Sequence, residues 1–321
     1  MSDHQVKALP TQRIGPEAFE ASPETALWWL TNAGFLLNAR GTLLMVDPAI
    51  SLSEESPDLH ETGHRLLVPL PIEATDVPRL DAVLYTHADY DHLALRTARI
   101  LLERTSARFV GPPLVAGALA RAGFPHARLL VSRPRLSFRI GQVEVTATPA
   151  EHPWQLRDPE RFGPAFEPED CVGYLLQTPD GNIWHPGDTR LMPQHLHLRG
   201  VDVLLLDVSR NDYHLGVRGA AVLANTLPAP TIIPHHYGTY DDPGHPAYNG
   251  DPAEVAALVP DAARRFKVLA PGERFVVGGE EAIGEEADGH ARLLAFRLYQ
   301  SALITSARQC RSPPALCCSA V

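Results

Sequence analysis

Residues 81–92 read DAVLYTHADYDH, and this stretch decides the fold because it joins a buried strand to a helix through a cluster of polar side chains. Its first half, Asp81–Thr86, is apolar enough to be a buried strand, and Leu93–Glu103 follows with the apolar spacing of a helix. The six residues between these elements hold four potential metal ligands: His87, Asp89, Asp91 and His92.

The spacing of these four residues lets them converge. In an extended chain, residues two apart point to the same side, so His87, Asp89 and Asp91 can share one metal site. His92 projects differently once the chain turns into the helix, and it can serve a second ion. Asp is also favoured at a helix N-terminus without any metal, but that explanation accounts for one carboxylate and leaves the rest of the cluster unexplained.

Three later segments also place potential ligands directly after predicted strands. Each has an ordinary explanation when taken singly, as a surface histidine, a turn residue or a polar residue at a loop edge. Their recurrence at strand ends favours ligation. They are His152 after strand 142–148, Asp188 after strand 182–185, and the pair His235 and His236 after strand 231–234.

The remaining pattern predicts strands in both halves of the chain with helices between them. Asp251 is a candidate N-cap with Pro252 at the first helical position, and Pro179-Asp180-Gly181 indicates a hairpin turn. We therefore expect two sheets packed face to face with helices outside, a four-layer αββα sandwich of the α/β class. The further predicted strands are Leu27–Leu30, Phe35–Asn38 and Thr42–Val46 as an antiparallel meander, then Arg108–Val110, Leu136–Ile140, Gln142–Thr148, Cys171–Gln177, Asn182–His185, Val201–Asp207 and Thr231–Pro234; the further predicted helices are Ala220–Thr226 and Asp251–Phe266.

The chain divides into three parts by composition. Residues 1–21 are polar and unpatterned, so we expect a mobile lead-in. Residues 22–279 carry the strands and the potential ligands and form the expected main domain. Residues 280–321 form an extension with an acidic start, a predicted helix at Ala291–Ala307 and a frayed tail; this helix could pack on the domain or on a second copy, so a homo-oligomer is possible.

The amino-acid composition argues against some classes of function. The 321 residues are 45% hydrophobic, enough for a substantial core. A formal net charge of −10 and a pI near 5.8 argue against a nucleic-acid partner.

The N-terminus lacks an apolar signal segment, and no apolar run is long enough to span a bilayer, so we expect a cytoplasmic protein with no membrane partner. The four cysteines form neither a disulfide framework nor a paired zinc motif, which leaves the fifteen histidines and the carboxylates as metal ligands.

The order of these motifs resembles the metallo-β-lactamase superfamily, and within it the L-ascorbate-6-phosphate lactonase-like branch. A weaker resemblance is to the N-acylphosphatidylethanolamine-hydrolysing phospholipase D branch. The resemblance covers roughly residues 26 to 278 and implies an αββα sandwich with metal ions at one edge between the sheets. The supporting segments are LWWLTNAGFLL, TLLMVDP, LDAVLYTHADYDHL, GYLLQTPDGNIWHPGDTR and IIPHHYGT.

The resemblance also implies a ligand set for two divalent metal ions. In this set His236, rather than His235, is the ligand, because the ligand of the family directly precedes Tyr237-Gly238-Thr239. Asp47 would lie behind the site and support it. The first ion would be held by His87, Asp89 and His152, the second by Asp91, His92 and His236, with Asp188 bridging them.

Asp89 departs from the family pattern, because most members have a histidine there. We interpret it as a ligand, and its oxygen favours Mn²⁺ or Fe²⁺ relative to Zn²⁺, which is still possible. The rival interpretation is that the shorter carboxylate falls short and leaves the first site weak or empty.

The predicted function is hydrolysis of a small metabolite, a lactone or a phosphorylated sugar-acid ester, through attack by a metal-bound hydroxide. Asp91 could orient the nucleophile, and His235 or Tyr237 could assist the leaving group. The alternatives are a phosphodiesterase, then a di-iron oxidoreductase suggested only by Asp89, then a non-catalytic metal-binding scaffold. The arginines that follow ligand segments and could bind a substrate anion are Arg157, Arg161 and Arg190.

Overall fold

Two β-sheets packed face to face form the core of the protein in a computed structural model, which describes residues 5–227, 230–279, 293–301 and 303. The first sheet has the strand order 13-1-2-3-4-5-6 in chain numbering, and the second has the order 12-11-10-9-8-7. In chain order the strands are β1 (Thr25–Trp29), β2 (Phe35–Ala39), β3 (Thr42–Val46), β4 (Ala82–Leu84), β5 (Arg108–Gly111), β6 (Leu129–Val131), β7 (Ser137–Ile140), β8 (Val143–Pro149), β9 (Val172–Thr178), β10 (Gly181–His185), β11 (Val203–Asp207), β12 (Thr231–His235) and β13 (Arg274–Val276).

Helices pack on the outer faces of these sheets. Leu101 and Leu119 join a core that includes Trp28 of β1 and Met45 of β3, and a helix beginning at Gly216 lies against β11. The αββα sandwich predicted from the sequence is therefore confirmed. Among the described residues, no helix combines the length and the apolar character needed to cross a membrane. The helices are α1 (Leu95–Arg104), α2 (Pro113–Arg121), α3 (Pro159–Phe162), α4 (Gly216–Thr226), α5 (Pro252–Ala256) and α6 (Ala262–Arg265).

Alternate residues of the central strands enter different cores, because successive side chains of a strand point to opposite faces. In β1, Leu27 and Trp29 join the core between the two sheets, whereas Trp28 joins the core under α1 and α2. All five residues of β1 are buried, as are those of β2 and β3. Burial on both faces explains why these strands are continuous apolar runs in the sequence.

The single helix predicted over Asp251–Phe266 is wrong. The chain forms α5 and α6 instead, with a break at Pro260 and Asp261. Pro260 has no N–H to donate and disfavours a helical residue before it, and Asp261 adopts a left-handed φ of 57°. The predicted cap is confirmed, because the Asp251 side chain accepts a hydrogen bond from Ala253 N at 2.8 Å.

Residues near both limits of the described part of the chain contribute to the packed domain. The predicted mobile lead-in is wrong for residues 5–21, because Ala8 N donates to Gly238 O at 2.9 Å and Phe19 is buried. Residues 293–301 and 303 are helical, and Phe296 packs edge-on against Tyr237 in the inter-sheet core. The rest of the predicted helix Ala291–Ala307 lies outside the described residues, as does the acidic segment 280–292.

Strand direction brings the predicted ligand segments to one rim of the sandwich. Strands β3 and β4 run parallel, and so do β10, β11 and β12. Strand β8 has the same direction as β10, because each is antiparallel to β9. The carboxyl ends of these strands therefore lie on one side of their own sheet. Two hydrogen bonds join the sheets at this rim, from Val172 N to Thr86 O (2.9 Å) and from the Tyr174 hydroxyl to Tyr85 O (2.9 Å).

Candidate metal centre

Seven histidine and aspartate side chains meet at this rim in two groups of three with one carboxylate between them. Asp89 Oδ2 lies 3.2 Å from His87 Nε2 and 3.3 Å from His152 Nε2. Asp188 Oδ2 lies 3.1 Å from His92 Nε2 and 3.3 Å from His236 Nε2. The two groups of three are His87, Asp89 and His152, and Asp91, His92 and His236, with Asp188 also within ligand distance of the pair His87 and His92.

Each imidazole is held from behind through its Nδ1 atom, so that Nε2 faces the centre. His152 Nδ1 donates to Tyr213 O at 2.9 Å, and His236 Nδ1 donates to Ala247 O at 2.7 Å. The left-handed φ of 65° at His236 turns the chain at this point. Such outer partners fix the ring orientation and tautomer of metal-binding histidines.

Asp47 supports the other two histidines from the end of β3. Its Oδ2 lies 2.9 Å from His92 Nδ1 and accepts a hydrogen bond from the Thr86 hydroxyl at 2.6 Å. Thr86 Oγ1 in turn accepts from His87 Nδ1 at 3.0 Å. Asn32 orients one acid of the second group, since its Nδ2 donates to Asp91 Oδ2 at 3.0 Å.

The donor set fits divalent cations. Among the described residues, His92 Nε2, His236 Nε2 and Asp188 Oδ1 are buried without a hydrogen-bond partner. A buried polar atom left without a partner is costly, and here three such atoms belong to side chains that converge on one point. Imidazole nitrogens combined with carboxylate oxygens suit Zn²⁺, Mn²⁺ and Fe²⁺.

The electrostatics of the cluster keep its carboxylates ionised. Burial alone would raise the pKa of Asp89, but His87 and His152 hold it below its usual range. Burial would likewise raise the pKa of Asp188, but the surrounding imidazoles hold it far below its usual range. Burial would lower the pKa of His236, yet Asp188 raises it to about 9. The anionic centre therefore attracts positive charge, which a proton or a metal ion can supply.

A cavity of about 410 Å³ opens directly onto this centre. Asp89, Asp91 and Asp188 line its floor together with His152 and His236. Its size is that of a small-molecule site. The walls are largely aromatic, with two arginines, and they include Tyr90, Trp154, Arg157, Phe162, Arg210, Tyr213, His214 and Tyr248.

Comparison with known proteins identifies the family. A family model described as a beta-lactamase superfamily domain matches residues 44–237, more than half of the chain. The chain belongs to that superfamily. A metal-dependent hydrolase of family UPF0173 from Pyrobaculum aerophilum is 27% identical over 252 residues, which cover 76% of this chain and 96% of the relative.

Two further comparisons agree with this assignment. A protein of Salmonella choleraesuis named "Probable L-ascorbate-6-phosphate lactonase UlaG" is 25% identical over 282 residues, covering 78% of this chain and 77% of the relative. The metallo hydrolase Igni18 of Ignicoccus hospitalis shares the fold with a TM-score of 0.55 and 20% identity, over 78% of this chain and 97% of its own. The protein is thus a metal-dependent hydrolase of the metallo-β-lactamase superfamily.

Two residues predicted to assist the leaving group lie away from the cavity of this hydrolase. His235 is fully buried beside Phe35 and His185, in the core between the sheets. Tyr237 is buried and stacks on Trp29 with ring centroids 5.1 Å apart. Neither lines the cavity over the centre, so the geometry contradicts a direct role in catalysis for either residue.

The sequence prediction missed His214, which belongs to this metallo-β-lactamase site. Its Nδ1 lies 2.6 Å from Asp207 Oδ2 and 3.5 Å from Asp188 Oδ2, and its ring lies against those of His152 and His236. A signal was present, because Asp207 ends β11 at the same rim where His236 follows β12. Of the predicted arginines, Arg157 lines the cavity, whereas Arg190 stacks over Tyr213 and Arg161 over Phe162.

Proposed function

We propose that this hydrolase cleaves a lactone or an ester of a small anionic metabolite, such as a phosphorylated sugar acid, with two divalent metal ions in the His/Asp centre. The observation that carries the proposal is the convergence of partnerless buried donor atoms of His92, His236 and Asp188, of which the last two residues line an open cavity. Each group of three side chains would bind one ion, with Asp188 between the two groups.

The bound ions would supply Lewis-acid polarisation of the substrate and would lower the pKa of a water molecule. The side chains of the protein would position the attacking water and the metal ligands. Asp91 is held by Asn32 through one oxygen and lines the cavity, so it can accept a hydrogen bond from the attacking water and orient it. The imidazoles cannot rotate, because each Nδ1 is engaged by Thr86, Asp47, Tyr213 or Ala247.

The position of Arg157 favours a substrate that carries negative charge. It lines the cavity, and among the described residues none forms a hydrogen bond or an ion pair with its guanidinium. The other cavity arginine, Arg210, is already paired with Glu254 through two bonds of 2.8 Å. A free guanidinium suits a phosphate or carboxylate, and the aromatic walls suit the apolar face of a ring. The name of the Salmonella relative, a phosphorylated-lactone hydrolase, agrees with this choice.

Asp89 indicates which metal ions the centre would prefer. With Asp91 and Asp188, it brings the number of carboxylates in the centre to three, and oxygen ligands favour Mn²⁺ or Fe²⁺ relative to Zn²⁺. Its contacts of 3.2 and 3.3 Å to the two histidines of its group support a filled first site.

The proposal is tested by metal analysis and turnover on the same samples. We expect about two ions per chain in the purified wild type, and hydrolysis of members of a panel of phosphorylated and neutral lactones, carboxylic esters and bis-p-nitrophenyl phosphate. Asp188→Ala should lose both metal and turnover, whereas Asp202→Ala, remote from the centre, should keep both. Turnover of bis-p-nitrophenyl phosphate alone would favour the phosphodiesterase alternative, and no turnover of any panel member would contradict the proposal.

A di-iron oxidoreductase is the second candidate, and the three-carboxylate ligand set favours it. It predicts iron as the bound metal and oxygen consumption with a supplied electron donor. Iron in the purified protein without oxygen consumption would leave the hydrolase as the better explanation.

A further inference from the structure

Asp207 and His214 form a buried pair beside the metal centre that the proposed ligand set does not use. Asp207 ends β11, and its Oδ1 accepts a hydrogen bond from Ser209 N at 2.7 Å. Its Oδ2 lies 2.6 Å from His214 Nδ1. Burial would raise the pKa of Asp207, but His214 holds it at about 2. The carboxylate is therefore an acceptor, and His214 donates to it through Nδ1.

This contact fixes the direction of the His214 ring. With Nδ1 engaged, Nε2 is the ring nitrogen left to interact, and His214 lines the cavity. Its ring packs edge-on against His152 and His236, with centroids 4.6 and 5.1 Å away. These two histidines belong to different groups of the centre, so His214 lies over the junction where a substrate would react.

A role as an additional metal ligand fits less well. His214 forms a group within ligand distance with His152 and Asp188. However, the atom nearest to Asp188 is Nδ1, at 3.5 Å, and this atom is already committed to Asp207. Each proposed ion would have a group of three side chains to hold it without His214. A histidine oriented by a buried carboxylate, with its other nitrogen facing a reaction cavity, has the arrangement expected for hydrogen bonding to a reacting atom.

We propose that His214 is a catalytic residue that acts as an imidazolium, donating through Nδ1–H to Asp207 and through Nε2–H to the leaving-group oxygen, and that Asp207 is the residue that positions it. The inference rests on the proposed hydrolase function. When the scissile bond breaks, its electron pair stays on the leaving oxygen. Water delivers its OH to the acyl or phosphoryl centre, and the proton ends on the leaving oxygen that His214 contacts.

The test compares two esters of one acid, one with a 4-nitrophenolate leaving group and one with an alkoxide leaving group. We expect His214→Ala to lower kcat on the alkyl ester by about 10²- to 10⁴-fold, and to lower kcat on the 4-nitrophenyl ester by less than about 10-fold, because a good leaving group needs little assistance. Bound metal per chain should equal that of the wild type. Asp207→Asn should also lower kcat more on the alkyl ester than on the 4-nitrophenyl ester. His214→Gln keeps a hydrogen-bond donor near the Nε2 position, so it should recover part of the loss in kcat.

His195→Gln is the matched control. His195 is also buried, in a 3-10 helix between β10 and β11, and is hydrogen-bonded through both ring nitrogens, to Met192 N and Pro149 O, but it does not line the cavity. It should not change the ratio of the two rates. Loss of metal in His214→Gln or His214→Ala would make His214 a ligand, and equal losses on both esters would make it structural; either result overturns the inference while leaving the proposed function intact. A wild type that hydrolyses no panel substrate would overturn both.

Discussion

Asp89 places a carboxylate between the imidazoles of His87 and His152, within 3.2 and 3.3 Å of their Nε2 atoms. A histidine at this position would provide a neutral nitrogen on a longer side chain. The carboxylate adds negative charge, and its oxygen is a harder ligand. In the proposed two-ion centre, the metal preference of the first site would therefore depend on this one side chain.

We predict that Asp89→His shifts the bound metal toward zinc. The substitution replaces an oxygen ligand by an imidazole nitrogen, which zinc accepts readily. Elemental analysis after expression in medium with equal manganese, iron and zinc would show a larger zinc fraction than in the wild type. An unchanged metal composition would mean that Asp89 does not bind the first ion.

The sequence predicts which residues share the centre but not how each side chain is oriented. The seven predicted ligands follow strands that run the same way within each sheet, and the packing of the two sheets brings both sets to one rim. His235 and His236 are adjacent, and they face different environments because the chain turns with a left-handed φ at His236. His214 lies in a loop with no periodic pattern; the sequence signal was Asp207 at the end of β11, and its contact with His214 is seen in the three-dimensional structure.

At the scale of single elements, the turn after β10 shows how closely the backbone is packed beneath the centre. Gly187 has a left-handed φ of 71°, and an added Cβ would lie 2.7 Å from Val172 O and 3.1 Å from Thr86 Cβ. Val172 and Thr86 also make one of the two hydrogen bonds that join the sheets at this rim. Glycine is required here both by conformation and by space.

We predict that Gly187→Ala lowers stability and metal retention together, because relieving the clash moves Asp188. Gly123→Ala is the matched control, since Gly123 has a φ of 89° with no atom within 4 Å of an added Cβ. The control should cost about 1–2 kcal/mol from backbone strain alone, and Gly187→Ala about 1–3 kcal/mol more from overpacking. Urea unfolding with metal analysis measures both effects, and equal costs with full metal retention would contradict this interpretation.

The elements that the sequence missed are short or interrupted ones. Strands β6 and β13 have three residues each, too few to show a period. The helix α2 begins at Pro113 after a strand end, and its mixed apolar run has no clear polar face. The break between α5 and α6 was visible as Pro260, but the surrounding alanine-rich sequence favoured one continuous helix.

At the scale of the whole molecule, one carboxylate ties the two sheets together away from the metal centre. Asp180, in the turn between β9 and β10, accepts hydrogen bonds from Thr25 N (2.8 Å) and from Arg40 Nε (3.0 Å). Thr25 and Arg40 belong to the first sheet and its β2–β3 turn. The hydrogen bond from Arg40 lowers the pKa of Asp180 to about 2.

This contact predicts a defined acid sensitivity. Because the pKa of Asp180 is lowered in the folded state, its contribution to stability is present above the unfolded pKa of about 4 and is lost as the pH falls from about 4 to 2. The stability difference between wild type and Asp180→Asn, measured by urea unfolding of metal-free protein, should shrink over this interval. A difference that is constant with pH would show that the Arg40 contact does not form in solution.

The helical residues 293–301 also contribute to the stability of the whole domain. Phe296 is 1% exposed and contacts Tyr237, next to His236, whereas Leu294 on the same helix is 47% exposed. We predict that Phe296→Ala destabilises the protein by about 3–5 kcal/mol, and Leu294→Ala by less than about 0.5 kcal/mol. Thermal unfolding of the two variants compares them, and equal effects would place this helix outside the core in solution.

The most direct test of the two-ion centre is the anomalous scattering from crystals grown with manganese. We predict two peaks per chain, one beside His87, Asp89 and His152 and one beside Asp91, His92 and His236, with Asp188 between them. A single peak, or peaks away from these side chains, would contradict the account of how this hydrolase binds its metals.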